Sequence, residues 1–539
     1  MKYGFIIDNR KCIGCHACTV ACKSEHDVPI GVNRTWVKQT EKGTYPNTRR
    51  VFSVMRCNHC TDAPCVEICP VQALFVREDG IVDFDSNRCI GCKSCMQACP
   101  YDALYIDPET HTAAKCNYCA HRVDVGLEPA CVNVCPEHAI ISGDMHDPAS
   151  EISMLLSREQ VIVRKPEKAT NPNLYYINGD QASLTPSTSD RSNSYIWSSQ
   201  STGVGHFAKF AEALANGKDL VEMAKRNQNN LASSLTYTPD SGPEKSVSVL
   251  MKEAKVRRVY DTPDKGILWG WEVSAYVWTK AIAAGAFLIP FIASQIGIWS
   301  LDDASSIIAA SVSMVFLMLT GLLLVKDLDQ PKRFVYVLLR PQWRSWLVRG
   351  GYAITLFGAF LALFIASVWL DWTILESISS WGAALSGIIV AIYTAFLFAQ
   401  AKGRDFWQSP TLIFHMLAHS IMAGAAILSL ANLFHDGFEQ QFINTMMITG
   451  IIANLAILTA ELSMTHPTED SKRVAKMILK GRYQNLFWMG TIVMGNLLPL
   501  LVIFIGGNFA GATASILLLA GIYTTEKIWV EAPQRIPLT

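Results

Sequence analysis

The sequence predicts a two-part chain: an α+β domain built from a duplicated, cysteine-rich unit, followed by an all-α membrane bundle of eight transmembrane helices. Three observations predict it. All 16 cysteines lie between Cys12 and Cys135, apolar stretches of membrane-crossing length fill the second half, and only 17% of the 539 residues are charged, against about 25% in ordinary soluble proteins. The net charge of zero gives no footing for a nucleic-acid partner.

The cysteines fall into four sets. Cys12, Cys15, Cys18 and Cys22 follow C-x2-C-x2-C-x3-C, and Cys89, Cys92, Cys95 and Cys99 repeat it; Cys57, Cys60, Cys65 and Cys69 read C-x2-C-x4-C-x3-C, and Cys116, Cys119, Cys131 and Cys135 read C-x2-C-x11-C-x3-C. A cubane cluster offers several iron corners a few ångströms apart, so one loop ligates three while the distant cysteine reaches a neighbouring cluster. Zinc fits less well, because a C-x2-C-x2-C triple leaves a surplus thiolate at a tetrahedral ion. A disulfide scaffold is expected in short secreted chains. Here Met1 to Arg10 has neither the apolar core of a secretory signal nor a twin-arginine pair, so no export address is expected at this end.

The phrases RKCIGCHACTVAC and NRCIGCKSCMQAC nearly coincide, which marks an internal duplication. On these motifs, residues 1–178 resemble the four-cluster ferredoxin subunit of the molybdopterin oxidoreductases of dimethyl-sulfoxide and polysulfide reductase type. The resemblance implies a duplicated ferredoxin-like fold with four 4Fe-4S clusters in two interlocked pairs. The implied ligand sets are Cys12, Cys15, Cys18 with Cys135; Cys116, Cys119, Cys131 with Cys22; Cys57, Cys60, Cys65 with Cys99; and Cys89, Cys92, Cys95 with Cys69. Pro70, Pro100 and Pro136 follow the last cysteine of three motifs as in bacterial ferredoxins, while Lys23 stands in the fourth such place.

Residues 179–265 are rich in Ser, Thr, Asn and Gln and read as a polar linker, with one amphipathic helix expected from His206 to Leu231 on the spacing of Phe207, Phe210, Leu214 and Val221. Residues 266–539 read as the membrane part. Spans are expected at about 272–297, 304–325, 347–370, 380–401, 410–434, 441–464, 485–506 and 508–528, each able to cross about 30 Å of hydrocarbon. Loops on the side of the cysteine domain hold Lys326, Lys332, Arg333, Arg340, Arg344, Arg349, Lys402, Arg404, Lys472, Arg473, Lys476, Lys480 and Arg482, whereas the opposite loops hold Asp302, Asp303, Asp371, Glu376, Asp436 and Glu439 and no Lys or Arg. By the positive-inside rule the cysteine domain faces the cytoplasm, with the chain in the cytoplasmic membrane. Some of these basic residues could instead dock the cysteine domain.

Residues 267–528 resemble the polysulfide-reductase and nitrite-reductase type of quinone-binding membrane subunit. The phrases that carry this are WGWEVSAYVWTKAIAAGAF and the loop with Asp327, Leu328, Pro331, Arg333 and Phe334. The resemblance implies a haem-free anchor exchanging electrons with menaquinone or ubiquinone. Glu272, Tyr276 and Lys280 recur every fourth residue and so share a helix face. They are candidate quinone or proton-transfer residues, since an ionisable group inside a span is a functional hypothesis by default. A structural Glu-Lys chain is the alternative. His415 and His419 are a second candidate pair, with Glu461 and His466 closing the next span. Two histidines one turn apart on one helix do not reach opposite faces of a haem; a pairing of His415 with His466 across helices stays open, as do plain helix contacts.

Together the two halves imply an electron-transfer subunit of an oxidoreductase complex, passing electrons between a large catalytic partner, of molybdopterin type, and the membrane quinone pool. Substrate chemistry then falls to another polypeptide. The alternative is a transmembrane redox complex with cytochrome or dehydrogenase partners that couples electron flow to proton movement.

Overall fold

The computed structural model describes residues 1–44, 46–189, 256–299, 302–464, 466–506 and 509–539. The helix expected from His206 to Leu231 lies outside them. The N-terminal part is built around β1 (Tyr3–Asp8), which sits in a four-stranded sheet of order β4-β1-β6-β5, with β4 (Ile140–Asp144), β5 (Val161–Ile162) and β6 (Leu174–Ile177). Side chains alternate across a strand. Phe5 and Ile7 accordingly pack into one apolar cluster with Trp36 and Tyr118, and Ile6 into another with Ile141, Ile152 and Ile177. β1 runs parallel to β6, Phe5 opposite Leu174, and antiparallel to β4, Phe5 opposite Ser142.

A long hairpin, β2 (Thr35–Thr44) and β3 (Asn47–Arg56), forms a second sheet. Its outer edge is completed by β7 (Val256–Tyr260), antiparallel to β2 with Arg258 opposite Thr40. The C-terminal end of the segment read as linker is thus a strand of the cysteine domain. Its apolar positions alone did not reveal this, because the pairing partner is more than 200 residues away in sequence.

Each cysteine motif runs into a short helix: α1 (Ala17–Glu25), α2 (Pro64–Ile68), α3 (Ser94–Ala98) and α4 (Ala130–Asn133). The duplication seen in the sequence reappears in the backbone. Gly14 and His16 before α1, and Gly91 and Lys93 before α3, all have positive φ, between 59° and 73°. Gly91 is needed for a second reason: a Cβ there would lie 2.7 Å from Asp329 Cβ on a membrane-side loop.

The C-terminal part is a helical bundle. α5 (Trp271–Gln295), α6 (Asp303–Lys326), α7 (Trp346–Trp369), α8 (Thr373–Gln400), α9 (Leu412–Ala431), α10 (Gln440–Ser463) and α11 (Leu486–Ile505, π-helical up to Leu497) are seven helices long and apolar enough to cross a membrane among the described residues. The expected eighth, α12 (Ala510–Gln534), is equally regular but carries Glu526, Lys527 and Glu531 and is not among the seven. α5 and α9 are mostly buried, while α6, α7 and α10 turn most of their apolar surface outward.

α5 and α9 cross backbone against backbone at Gly285 and Gly424, where a Cβ on Gly285 would lie 2.8 Å from Gly424 Cα and closer still to Ser420 O. Small residues permit such close crossings in a bilayer, where packing replaces the hydrophobic drive. Gly285→Ala is expected to lower stability by about 1–3 kcal/mol, the usual range for overpacking. Gly321, which has open space around it, is the control: Gly321→Ala should leave the thermal midpoint in detergent unchanged while Gly285→Ala lowers it.

Candidate iron-sulfur centres and the cavity below them

None of the 16 cysteines is paired in a disulfide, and only Cys15 is exposed. Cys12, Cys15, Cys18 and Cys135 line one small cavity, and Cys69, Cys89, Cys92 and Cys95 line another. Cys22 feels the charges of Cys116, Cys131 and Cys119, and Cys65 those of Cys99, Cys57 and Cys60. The four groupings coincide with the ligand sets that the resemblance implies.

The chemistry of these sets fits iron-sulfur clusters. Burial, reinforced by neighbouring Cys69 and Cys89 and opposed by Ser94, pushes the Cys92 thiol up to about 12; burial, with Cys131 and Cys12 adding and Arg56 opposing, does the same to Cys18. Four such thiols do not ionise together unless a cation compensates them, which is what cluster iron does. Backbone N–H groups are aimed at the sulfurs: Ala73 at Cys69 Sγ (3.3 Å), Ala113 at Cys89 Sγ (3.3 Å) and Ala139 at Cys135 Sγ (3.2 Å). Such N–H···S bonds stabilise the more negative cluster state and raise its potential.

Sequence reading did not single out Arg56, whose role needs the third dimension. It is fully buried, donates to Cys131 Sγ at 3.2 Å and stacks over Phe5 at 4.4 Å. A fixed positive charge at this place favours adding an electron to a cluster beside it.

The loop of Cys89–Cys99 rests on the membrane bundle. Trp269 Nε1 donates to Cys92 O (3.1 Å), Lys93 Nζ pairs with Asp329 (3.1 Å), and Arg333 donates to the carbonyls of Ser86 (2.7 Å) and Cys89 (3.0 Å). Fully buried Gln97 accepts from Arg404 Nε (2.9 Å) and donates to Gln534 Oε1 (2.6 Å).

Directly below lies a small, mostly apolar cavity of about 30 Å³, whose wall is shared by Cys92, Trp269, Val273, Tyr276, Asp327, Leu347 and Phe398. Cys92 therefore borders both the cluster cavity and the membrane cavity. Burial, helped by Glu272 and Asp329 and opposed by Lys93, lifts the Asp327 carboxyl to about 7. This residue can gain or lose a proton near neutrality.

Of the residues expected at a quinone site, Tyr276 lines this cavity. Lys280 joins it through Thr394, whose Oγ1 lies 3.1 Å from Tyr276 Oη and 2.7 Å from Lys280 Nζ. Glu272 stands half-buried at the start of α5, and its acidic head does not line the cavity. His415 and His419 do not line it; they are bonded through Nδ1 to Glu461 (3.1 Å) and Glu526 (2.6 Å). His415 also packs on Trp529, while His466 packs on Phe406. Glu526 is a partner that sequence reading missed, although a carboxylate inside the last apolar stretch was the available signal.

Comparison with known proteins agrees with this division. Models of a 4Fe-4S dicluster domain match residues 11–74 and 48–145, and a model described as polysulphide reductase, NrfD, matches residues 262–526. The N-terminal part is 48% identical to a tetrathionate reductase subunit of Salmonella typhimurium over 189 residues, 34% of this protein and 76% of that one. It is 43% identical to a component of the polysulfide reductase of Wolinella succinogenes, covering 33% of this protein and 94% of the relative, and 41% identical to protein NrfC of Escherichia coli K12, covering 33% and 81%. The protein belongs to this family of iron-sulfur electron-transfer subunits, here fused to a multi-pass membrane part of NrfD type.

The charge of Arg56 gives a measurable consequence. Arg56→Gln should shift the potential of a cluster held by Cys131 downward by about 60 mV or more, a tenfold change in a one-electron equilibrium. A redox titration followed by electron paramagnetic resonance reads this directly.

Proposed function

We propose that this subunit links a catalytic partner of molybdopterin type to membrane quinone, with the quinone ring held in the cavity below Cys92. The observation that carries the reading is that Cys92 and Tyr276 face one apolar cavity, the setting a hydrophobic ring with two polar carbonyls requires. Held by the four cysteine sets named above, 4Fe-4S clusters supply one-electron transfer along the N-terminal domain. The protein's own work is positional. Tyr276, backed by Thr394 and Lys280, offers a hydrogen bond from the cavity wall, Asp327 exchanges a proton there, and Trp269 and Phe398 supply apolar wall.

Cys15 is exposed, and so are Ile13, Val20 and Ile30 of the same N-terminal segment, at 55%, 65% and 85%. Exposed apolar side chains in the segment of one cluster set suit docking of the partner that performs the substrate chemistry. In the membrane, α12 completes an eight-crossing bundle, with Glu526 buried against His419 and Glu531 accepting from Tyr483. Lys332, Arg340, Arg344, Arg349, Lys472, Lys476, Lys480 and Arg482 remain exposed rather than docked, which supports a cytoplasmic cysteine domain. An Asp436→Cys variant, on the opposite face, should then react with a membrane-impermeant maleimide in spheroplasts; labelling only after lysis would reverse the orientation.

The test of the quinone reading is reduction of the clusters by a water-soluble quinol in the purified full chain. Tyr276→Phe should slow it about 10- to 100-fold, the scale of removing one general acid-base or hydrogen-bonding group. Quinol oxidation needs Asp327 ionised to accept a proton, so the wild-type rate should fall as pH drops through about 7 and Asp327→Asn should be slow at every pH. Quinol that neither binds nor reduces the clusters would end the proposal.

A further inference from the structure

None of His415, His419 and Glu526 lines the cavity, and the three come together where α9 packs on α12. All three are fully buried, and one ligand-type atom from each lies within 4.8 Å of those of the other two. The imidazole rings are 4.3 Å apart. Histidines four residues apart on a helix project from one face, and the carboxylate arrives from α12.

The hydrogen bonds set which atoms point inward. His415 Nδ1 faces Glu461 Oε2 and carries the proton that this carboxylate accepts, so its Nε2 is an acceptor, since a neutral imidazole has one N–H and one lone pair. His419 Nδ1 lies 2.6 Å from Glu526 Oε1, so an ion held by both residues takes the place of the proton between them. Neither His415 Nε2 nor Glu526 Oε2 has a partner among the described residues. Buried acceptors left without a donor are unfavourable unless something positive or protic is placed there.

The surrounding contacts favour a metal ion. Glu461 is saturated, accepting from Thr411 Oγ1 (2.9 Å), Trp529 Nε1 (3.0 Å) and His415. It is thus the outer carboxylate of a carboxylate-histidine-metal arrangement, which fixes the tautomer and raises ligand basicity. Lys280, a cation of this buried region, directs its Nζ to Ala391 O (3.1 Å) and Thr394 (2.7 Å) instead.

We infer that His415, His419 and Glu526 form a binding site for a divalent first-row transition-metal ion, with zinc the ion their two imidazoles and one carboxylate suit best. The ion ties α9 to α12 and is separate from the cluster iron and from the quinone cavity. It has no part in electron transfer in this assignment. Glu461 is a positioning residue for His415.

The probe is zinc itself. The full chain with its clusters, purified from zinc-supplemented cells and washed with EDTA, should retain about one zinc per polypeptide by mass spectrometry. Its zinc K-edge spectrum should show nitrogen and oxygen neighbours at about 2.0–2.1 Å with imidazole scattering, whereas zinc misplaced in a cysteine set would show sulfur at about 2.3 Å. His419→Ala and Glu526→Gln should remove the zinc while leaving cluster iron unchanged, and Glu461→Gln should weaken zinc affinity about 10- to 100-fold. Sulfur ligation, absence of retained zinc in the wild type, or zinc content unaltered in the variants would each overturn the assignment. The wild-type spectrum decides the matter even if a variant fails to fold.

Discussion

One buried hydrogen-bonded seam holds the two halves in the register on which everything else depends. Gln97, in α3 between Cys95 and Cys99, is held at once by Arg404 from the loop after α8 and by Gln534 at the end of α12. Gln534 Oε1 also accepts the backbone N–H groups of Leu268 and Trp269 (3.0 Å each), and its Nε2 donates to Trp269 O at 2.9 Å. Arg404 adds bonds to the carbonyls of Pro533 (3.2 Å) and Ile536 (2.7 Å). The entry to α5, the exit of α12 and the cysteine loop therefore share one network. Buried polar groups of this kind contribute about 1 kcal/mol each when paired and cost more when left alone, so the network selects one arrangement more than it adds stability.

That selection explains the placement of the cavity. With α3 clamped, Cys92 points toward the bundle, and Trp269 is fixed from two sides: its backbone by Gln534 and its indole N–H by Cys92 O. Trp269 stacks with Phe398 and Trp407 at centroid distances of 5.8 and 5.5 Å, an apolar floor between the cysteine domain and the helices. Gly91 has no side chain at the point where Asp329 approaches. A bulkier residue there would lift the loop, and with it Cys92, off the cavity.

The parts of this arrangement legible in the sequence were the local ones. Cluster ligands announce themselves by spacing, since a single loop must serve several iron corners. The Tyr276 and Lys280 pair was legible because four residues make about one helical turn, and both do converge on Thr394. Glu272, one turn before Tyr276, was equally legible as a candidate, yet at that level Trp269 and Val273 line the cavity instead. Thr394 and Gln534 gave no comparable sign, while Asp327 stood out only as part of a loop phrase and Arg404 only as a loop cation. They come from four different segments, and only folding makes them neighbours. The basic loop residues illustrate the same ambiguity from another side: Arg333 and Arg404 dock the cysteine domain, while their exposed neighbours keep the charge bias that topology rules read.

The eighth helix shows how a functional constraint hides a structural one. α12 is less apolar than the others because it bears Glu526 toward His419 and Gln534 toward Gln97, and these residues make it the element touching both the histidine pair and the docking seam. In a bilayer an isolated carboxylate at this position would be costly, so α12 is stable only when packed on α9 and α11, where Gly521 meets Gly495 closely enough that a side chain on either would collide. Close packing comes from the small residues and polar cost is offset by the partners on α9. The two features act together: the glycines set α12 against α11, and the bond between His419 and Glu526 fixes its rotation against α9.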